Sequence, residues 1–274
     1  MLDKLNLHGK VGIITGGAGL LGKKHTEAII EAGGIPVLSD IDEDAANRGA
    51  DQLRQKYGKD VIGVRMDVTS RQSIMEVRDG LLEKFSKIDF LINNAAIDAK
   101  VTGDAKGTAF SRFEHFSEEA WDIELAVGLK GAFLCSQIFG KMMADAGSGV
   151  ILNISSDLGI ISPDQRIYRK EGLREDEQPV KPVTYSVIKH GLIGLTKYLA
   201  TYWADRGVRV NALCLGGVYN NQPDDFVKRL SNLIPMGRMA HIDEYKAAVL
   251  FLISDASSYM TGSALIIDGG RTCW

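Results

Sequence analysis

The stretch Val11-Gly12-Ile13-Ile14-Thr15-Gly16-Gly17-Ala18-Gly19-Leu20-Leu21-Gly22 decides how the rest of the chain is read. Val11 to Ile14 is a short apolar run of the kind that forms a buried parallel strand. Glycines follow at Gly16, Gly19 and Gly22, and Lys23 to Ala32 sets Ala28, Ile29 and Ala32 among charged residues, the pattern of a helix packed on a sheet. Strand, glycine turn and helix together aim free helix N–H groups at a phosphate. Glycine permits positive φ there and lets a pyrophosphate approach the backbone. Three spaced glycines alone also make an ordinary tight turn. A second strand, Ile35 to Ser39, leads to Asp40, eighteen residues after Gly22. A carboxylate at that place accepts the hydroxyls of an adenosine ribose. The combination predicts a dinucleotide site, with Gly16, Gly19, Leu20, Leu21 and Gly22 at its turn and Asp40 and Ile41 at its ribose end.

Bulk composition narrows the class. A chain of 274 residues with 45% hydrophobic and 24% charged residues has enough apolar material for a full core. A formal net charge of −3 argues against nucleic acid as a partner. Cys135, Cys214 and Cys273 are odd in number and lack CxxC spacing, so neither a disulfide framework nor a zinc site is expected. The histidines show no metal-ligand spacing, and His190 reads as a packing or surface residue. No run reads as a membrane span, and Met1 to Lys10 lacks a signal pattern, so a cytoplasmic protein is expected.

Strand and helix signals alternate along the whole sequence. Glu43 to Tyr57 and Arg71 to Phe85 read as helices, and Val61 to Val64 and Ile88 to Ile92 as strands. A long helix begins at Ser117, a fair N-cap with Glu118 and Glu119 in the first turn. Val150 to Ile154 is a strand, Val183 to Arg206 a helix, and Val208 to Leu213 and Ala264 to Ile267 further strands. Repeated strand–helix units imply a parallel sheet of about seven strands with helices on both faces, in one domain covering residues 1–274. Two connections, 97–116 and 159–182, are long for such units. Both follow strands expected to end at the ligand edge of the sheet, so both are expected to wall the substrate.

Tyr185 and Lys189 stand four residues apart on one predicted helix face. A free tyrosine titrates near 10, and a neighbouring ammonium favours its phenolate. Ser156, just after a strand, could bond the same substrate oxygen. The pair alone could equally be a solvated helix face. Joined to a dinucleotide turn, it reads as a proton-transfer site.

At this point the chain resembles a short-chain dehydrogenase/reductase, from about Leu5 to Gly270. The likeness rests on the Thr15-Gly16 turn, Asp67-Val68, Asn93-Asn94-Ala95-Ala96, Asn153-Ile154-Ser155-Ser156, Tyr185-Ser186-Val187-Ile188-Lys189, Arg209-Val210-Asn211-Ala212, and Thr261-Gly262 before Asp268-Gly269-Gly270. The resemblance implies a Rossmann fold and hydride transfer between nicotinamide and an oxygen-bearing carbon. It implies Tyr185 as general acid/base, Ser156 as the group orienting the substrate oxygen, and Lys189 on the nicotinamide ribose. Asp67 and Val68 would flank adenine, Asn94, Ala95 and Ala96 line the cofactor groove, and Gly216 and Val218 meet the nicotinamide end. It also implies a homo-oligomer, a tetramer or dimer, built through the two long helices.

Three features depart from the family pattern. The Gly16-x-x-Gly19-x-x-Gly22 spacing is that of the nucleotide-sugar epimerase branch. Gly128 replaces an asparagine of the family's proton relay, and the space it leaves is expected to hold water beside Lys189. Leu215 replaces a proline before Gly216, which is expected to loosen the loop over the nicotinamide. An epimerase or dehydratase is therefore an alternative, although Asp268-Gly269-Gly270 follows the last strand with no room in this sequence for a large second substrate domain. A dinucleotide sensor without catalysis is another alternative, and turnover of an alcohol panel separates it from an enzyme. NAD is expected over NADP because Asp40 would oppose a 2′-phosphate. Pro163-Asp164-Gln165-Arg166-Ile167-Tyr168-Arg169 resembles dehydrogenases of bacterial surface-sugar biosynthesis, including that of nonulosonic acids. Arg166 and Arg169, with Lys170 and Arg174 close by, point to an anionic sugar as substrate.

Overall fold

Successive strand residues face opposite sides of a sheet, so a strand buried at every position must feed two cores. In β1 (Val11–Thr15) all five residues are buried. Ile13 joins the core on one face and Ile14 the core on the other. In β4 (Phe90–Asn93) and β5 (Gly149–Ser156) the pattern repeats, with Leu91 and Ile151 beside Ile13, and Ile92 and Leu152 beside Ile14. A computed structural model describes residues 2–97 and 111–274.

The remaining strands are β2 (Ile35–Asp40), β3 (Ile62–Arg65), β6 (Val208–Leu215) and β7 (Ala264–Ile267). They form one seven-stranded parallel sheet in the order β3-β2-β1-β4-β5-β6-β7. One face is covered by α3 (Arg71–Phe85), α5 (Gly131–Asp145) and α6 (Val183–Tyr202), through Ile74, Leu134, Phe139 and Leu199. The other is covered by α1 (Leu20–Glu31) and α8 (Lys246–Ile253), through Ile29, Val249 and Leu252. On the same face as α1, α2 (Glu43–Tyr57) packs Ala50 and Leu53 on Leu38 beside Ile30. This is the expected doubly wound Rossmann sheet. The strand order reverses between β1 and β4, and the crevice beyond their carboxyl ends is where such sheets bind ligands.

Element ends shift where pairing across the sheet outlasts the apolar run. Strands β5 and β6 continue past Ile154 and Leu213 because Ser155 pairs Cys214 and Ser156 pairs Leu215. Leu215 is thus held in the strand rather than in the loop that was expected to loosen. It is 5% exposed and packed in the core, and the next amide, Gly216, donates to Ile267 O at 2.9 Å. The helix expected from Ser117 is α4 (Glu118–Leu125), capped as expected by Ser117 accepting from the Ala120 amide. It passes through a π turn, Ala126–Lys130, into α5. By length and composition, Glu118–Asp145 could cross a membrane, contrary to the reading from the sequence. Its apolar residues Leu134, Ile138, Phe139 and Met143 instead lie in the core against the sheet. Helix α7 (Asp224–Ser231) and helix α8 had no counterpart in the sequence reading, each being only eight residues long.

Residues 98–110 of the first long connection lie outside the described residues. Its end and the second connection touch: Ser111 Oγ accepts from the Val180 amide, and Arg112 donates to Glu175 O. The second connection docks on α7, with Ile167 buried among Leu230, Ile234 and Met239. The Tyr168 and Phe226 rings lie 5.6 Å apart in the same contact.

Candidate active site

The turn after β1 is held by side chains of the adjacent strand end. Thr15 Oγ1 accepts from the Asn94 and Ala95 amides, each at 3.0 Å. The Asn94 side-chain amide donates to Thr15 O and Gly16 O, at 3.0 and 3.1 Å. Asn94 thus shapes the turn rather than reaching outward. Gly16 has φ +61°, and a Cβ there would stand 2.9 Å from Ala95 Cα. A Cβ on Gly22 would stand 2.4 Å from Gly16 O, so α1 lies directly against the turn. The N-cap Gly19 offers no side-chain cap, and the first turn, from Leu20 and Leu21, holds no acid. Uncapped N–H groups at the positive end of a helix suit a pyrophosphate, so the residues present fit a dinucleotide.

At the end of β2, Asp40 accepts from the Ala18 amide at 3.2 Å and from the Asp42 amide at 3.3 Å. This anchors the carboxylate beside the turn, while Ile41 is 60% exposed next to it. Arg65 on β3 is the register partner of Asp40, a neighbouring cation that the sequence reading overlooked because strand register is not local. Asp67 is braced by the Thr69 amide and hydroxyl, at 2.8 and 2.7 Å, and Val68 is buried against Gly131. Ala95 is half-buried and Ala96 exposed at the mouth of the crevice. On the far side Gly216 O accepts from Tyr245 Oη at 3.0 Å, and Val218 bridges to Ala240.

The residues expected to carry the chemistry lie on β5 and α6. Lys189 is buried, and its ammonium donates to Ile154 O at 2.8 Å, two residues before Ser156. The Ser155 hydroxyl donates to Lys189 O at 2.8 Å and ties the helix to the strand. Lys189 Nζ lies 5.6 Å from the centre of the half-buried Tyr185 ring. Ser156 Oγ donates to Asp157 Oδ1 at 2.7 Å and accepts from the Leu158 amide at 3.2 Å. Lys189 is thus bonded to the strand at Ile154 and Ser155, beside Ser156.

Lys181 Nζ lies 3.8 Å from the Tyr185 ring centre. It precedes the helix, so helical spacing gave no signal for it. His25 in α1 is fully buried, and burial pushes its imidazole down to about 4. Neither ring nitrogen has a hydrogen-bond partner among the described residues. The Asn94 amide, which opposes this shift, is itself held by the turn carbonyls.

Two expectations are corrected. Gly128 leaves no room for water: it is buried in the π turn, and a Cβ there would meet Ile188 Cγ2 at 2.9 Å. The Ile188 side chain from α6 fills the place. Arg166 does not reach toward the crevice with an open fork. Its guanidinium is 80% exposed and closes on Asp164 through Nε and Nη2, at 2.8 and 2.6 Å. Arg169 pairs Glu175 at 2.5 Å and Arg174 pairs Glu177 at 2.9 Å, so acids later in the same insertion neutralise much of its charge. His190 is exposed, as expected, and no cluster of metal ligands occurs among the described residues.

Comparison with known proteins gives the same picture. A family described as short chain dehydrogenase matches residues 10–168, and one described as Enoyl-(Acyl carrier protein) reductase matches residues 176–272. A D-threitol dehydrogenase from Mycolicibacterium smegmatis is 33% identical over 97% of this chain and 94% of its own. An NAD-dependent glycerol dehydrogenase from Listeria innocua is 32% identical over 97% and 95%. The structure of a gluconate 5-dehydrogenase from Burkholderia cenocepacia in complex with NADP and tartrate superposes with a TM-score of 0.86. It is 26% identical and covers 100% of this chain and 99% of that one.

Proposed function

Because this chain belongs to the short-chain dehydrogenase/reductase family and is an oxidoreductase of that type, we propose that it oxidises a polyol or sugar-like alcohol, with NAD preferred. The observation that carries the reading is the attachment of Lys189 to β5 beside Ser156, with Tyr185 one helical turn away. Bound nicotinamide supplies the hydride acceptor. Tyr185 takes the hydroxyl proton of the alcohol, and the ammonium of Lys189 favours its phenolate. Ser156 orients the substrate oxygen. The uncapped start of α1 receives the pyrophosphate, and Gly216 and Val218 wall the nicotinamide end.

The preference for NAD rests on Asp40, whose carboxylate is fixed beside the turn and opposes a 2′-phosphate. Titration with NADH and NADPH tests it. NADH is expected to bind at least ten-fold tighter, and Asp40→Ala to narrow the gap; equal affinities would refute the preference. Reduction of NAD in a panel holding glycerol, D-threitol, simple secondary alcohols and acidic sugars tests the substrate class. No turnover on any of them would favour the dinucleotide sensor.

A second reading, an acidic sugar as substrate, has one observation behind it. An open cleft of about 550 Å³ between the insertion and α7 is lined by Arg169, Lys170, Lys228 and Arg229 against Glu171 and Asp225. Ser156, Tyr185 and Lys189 do not line it, so the cleft ranks behind the polyol reading. The proposal includes one domain, a cytoplasmic location and a homo-oligomer. For the last, Ile123, Phe133, Tyr198 and Tyr202 are exposed on α4, α5 and α6, and the mass in solution is the test.

A further inference from the structure

Ser156 is followed by a buried carboxylate that is held by a residue from the other end of the chain. Asp157 and Arg271, with side chains 4% and 6% exposed, pair through Oδ2 and Nη1 at 2.7 Å. The turn that delivers Arg271 is tightly specified. Asp268 accepts from the Gly270 and Thr272 amides, both at 2.8 Å, and Gly269 and Gly270 take φ +67° and +91°. Side chains at those two glycines would meet Ile234 and Pro235 at 2.7 and 2.9 Å. Arg271 is therefore aimed inward by backbone that only glycine adopts readily.

The second carboxylate oxygen, Asp157 Oδ1, accepts the Ser156 hydroxyl proton at 2.7 Å and the Leu158 amide at 2.8 Å. We propose that Asp157, held by Arg271, is a positioning residue that turns Ser156 into a hydrogen-bond acceptor for the hydroxyl of an alcohol substrate. The inference rests on the dehydrogenase reading above. A hydroxyl carries one proton and two lone pairs. With its proton directed at a charged carboxylate, Ser156 presents a lone pair, which complements an alcohol O–H. A carbonyl oxygen cannot donate, so it meets a serine facing the wrong way until that proton rotates away from Asp157. In oxidation the substrate hydroxyl first donates to Ser156. Its proton then passes to the Tyr185 phenolate; bound oxidised nicotinamide would accept the C–H hydride, so that the alcohol becomes a carbonyl.

A pair that serves the fold alone makes a different prediction. Buried ion pairs are often replaceable by apolar residues of similar shape without loss of stability, whereas removing one partner is strongly destabilising. The test therefore changes both: Asp157→Leu with Arg271→Met removes the acceptor, and Asp157→Asn with Arg271→Gln keeps a weaker, neutral one. Melting temperature and NADH affinity verify the fold. The measurement is KM and kcat in both directions, with NAD and the alcohol and with NADH and the carbonyl. The ratio of the two kcat/KM values is set by the equilibrium constant, so the partition between KM and kcat reports on the serine.

The Leu/Met pair is expected to raise the alcohol KM about ten-fold, the order of one lost hydrogen bond, while the carbonyl KM stays or falls. The Asn/Gln pair is expected to lie between, at about three-fold. Equal changes in both KM values, or none, would overturn the proposal. If the Leu/Met protein does not fold, the Asn/Gln protein decides by the same criterion. The substrates tried are glycerol, D-threitol and cyclohexanol with their carbonyl products, and the first pair turned over by the wild type is used. Turnover of cyclohexanol alone would refute the polyol reading and leave the serine test intact. No turnover of any pair would refute both.

Discussion

At the scale of single residues, the proton-transfer assignment is the most exposed to test. Tyr185→Phe keeps the ring and removes only the hydroxyl, so kcat is expected to fall at least ~100-fold with NADH affinity nearly unchanged. Lys189→Ala is expected to harm both, since in the proposed function the same ammonium serves the ribose and the tyrosine. Wild-type kcat in the phenylalanine variant would end the assignment. Gly128 makes a sharper prediction, because the structure reverses the expectation from sequence. With Ile188 Cγ2 and Cδ1 at 2.9 and 3.1 Å from where a Cβ would stand, Gly128→Asn overpacks the contact between the π turn and α6. A loss of about 1–3 kcal/mol is expected, read as a lower denaturation midpoint. A variant as stable as the wild type would show that the space is real.

Among the elements, the insertion before α6 matters most, because it joins Ser156 to Tyr185. Its docking on α7 has an apolar centre, where Ile167 is 4% exposed against Leu230, Ile234 and Met239, beside a bond from Arg229 to Arg169 O. The ion pairs of Arg166, Arg169 and Arg174 are solvent-facing and contribute little. Ile167→Ala is expected to weaken that docking by about 2–4 kcal/mol, and to raise the substrate KM more than it lowers kcat. Faster proteolytic cutting within 162–182 would report the undocking directly. Unchanged kinetics and unchanged cutting would mean that the insertion is held elsewhere. Arg166→Ala, by contrast, is expected to leave KM nearly unchanged, because its fork is already closed on Asp164.

For the whole molecule, acid stability follows from His25. The folded protein holds this imidazole at about 4, below its usual 6.5, because burial disfavours the charged form. The unfolded chain therefore takes up the proton first, and the folded state loses stability as pH falls from 6.5 toward 4. Above 6.5 the two states bind alike and nothing is lost. Full passage through that window costs about 3 kcal/mol, of which about 2 kcal/mol falls between pH 6.5 and 5. His25→Leu cannot take the proton, so its stability relative to the wild type is expected to improve by about 2 kcal/mol between pH 8 and 5. Parallel denaturation curves at both pH values would show that another group sets the acid limit.

What the sequence determined by itself is the sheet, the glycine turn after β1 and the helix face that carries Tyr185 and Lys189. Each follows from local chemistry: glycine spacing at one turn, apolar runs of strand length, and two residues one helical turn apart. The Ser117 cap and helices such as Glu43–Tyr57 and Arg71–Phe85 were legible for the same reason. Contacts between distant parts of the chain were decided only by the tertiary structure. Ile188 from another helix occupies the place at Gly128, strand pairing makes Leu215 part of a buried ladder, and acids within its own insertion take up Arg166 and Arg169. Asp157 and Arg271, 114 residues apart, carry no local signal at all. Periodicity reports which face of an element is buried, but the partner that covers that face is chosen by packing and by the need to pair every buried charge.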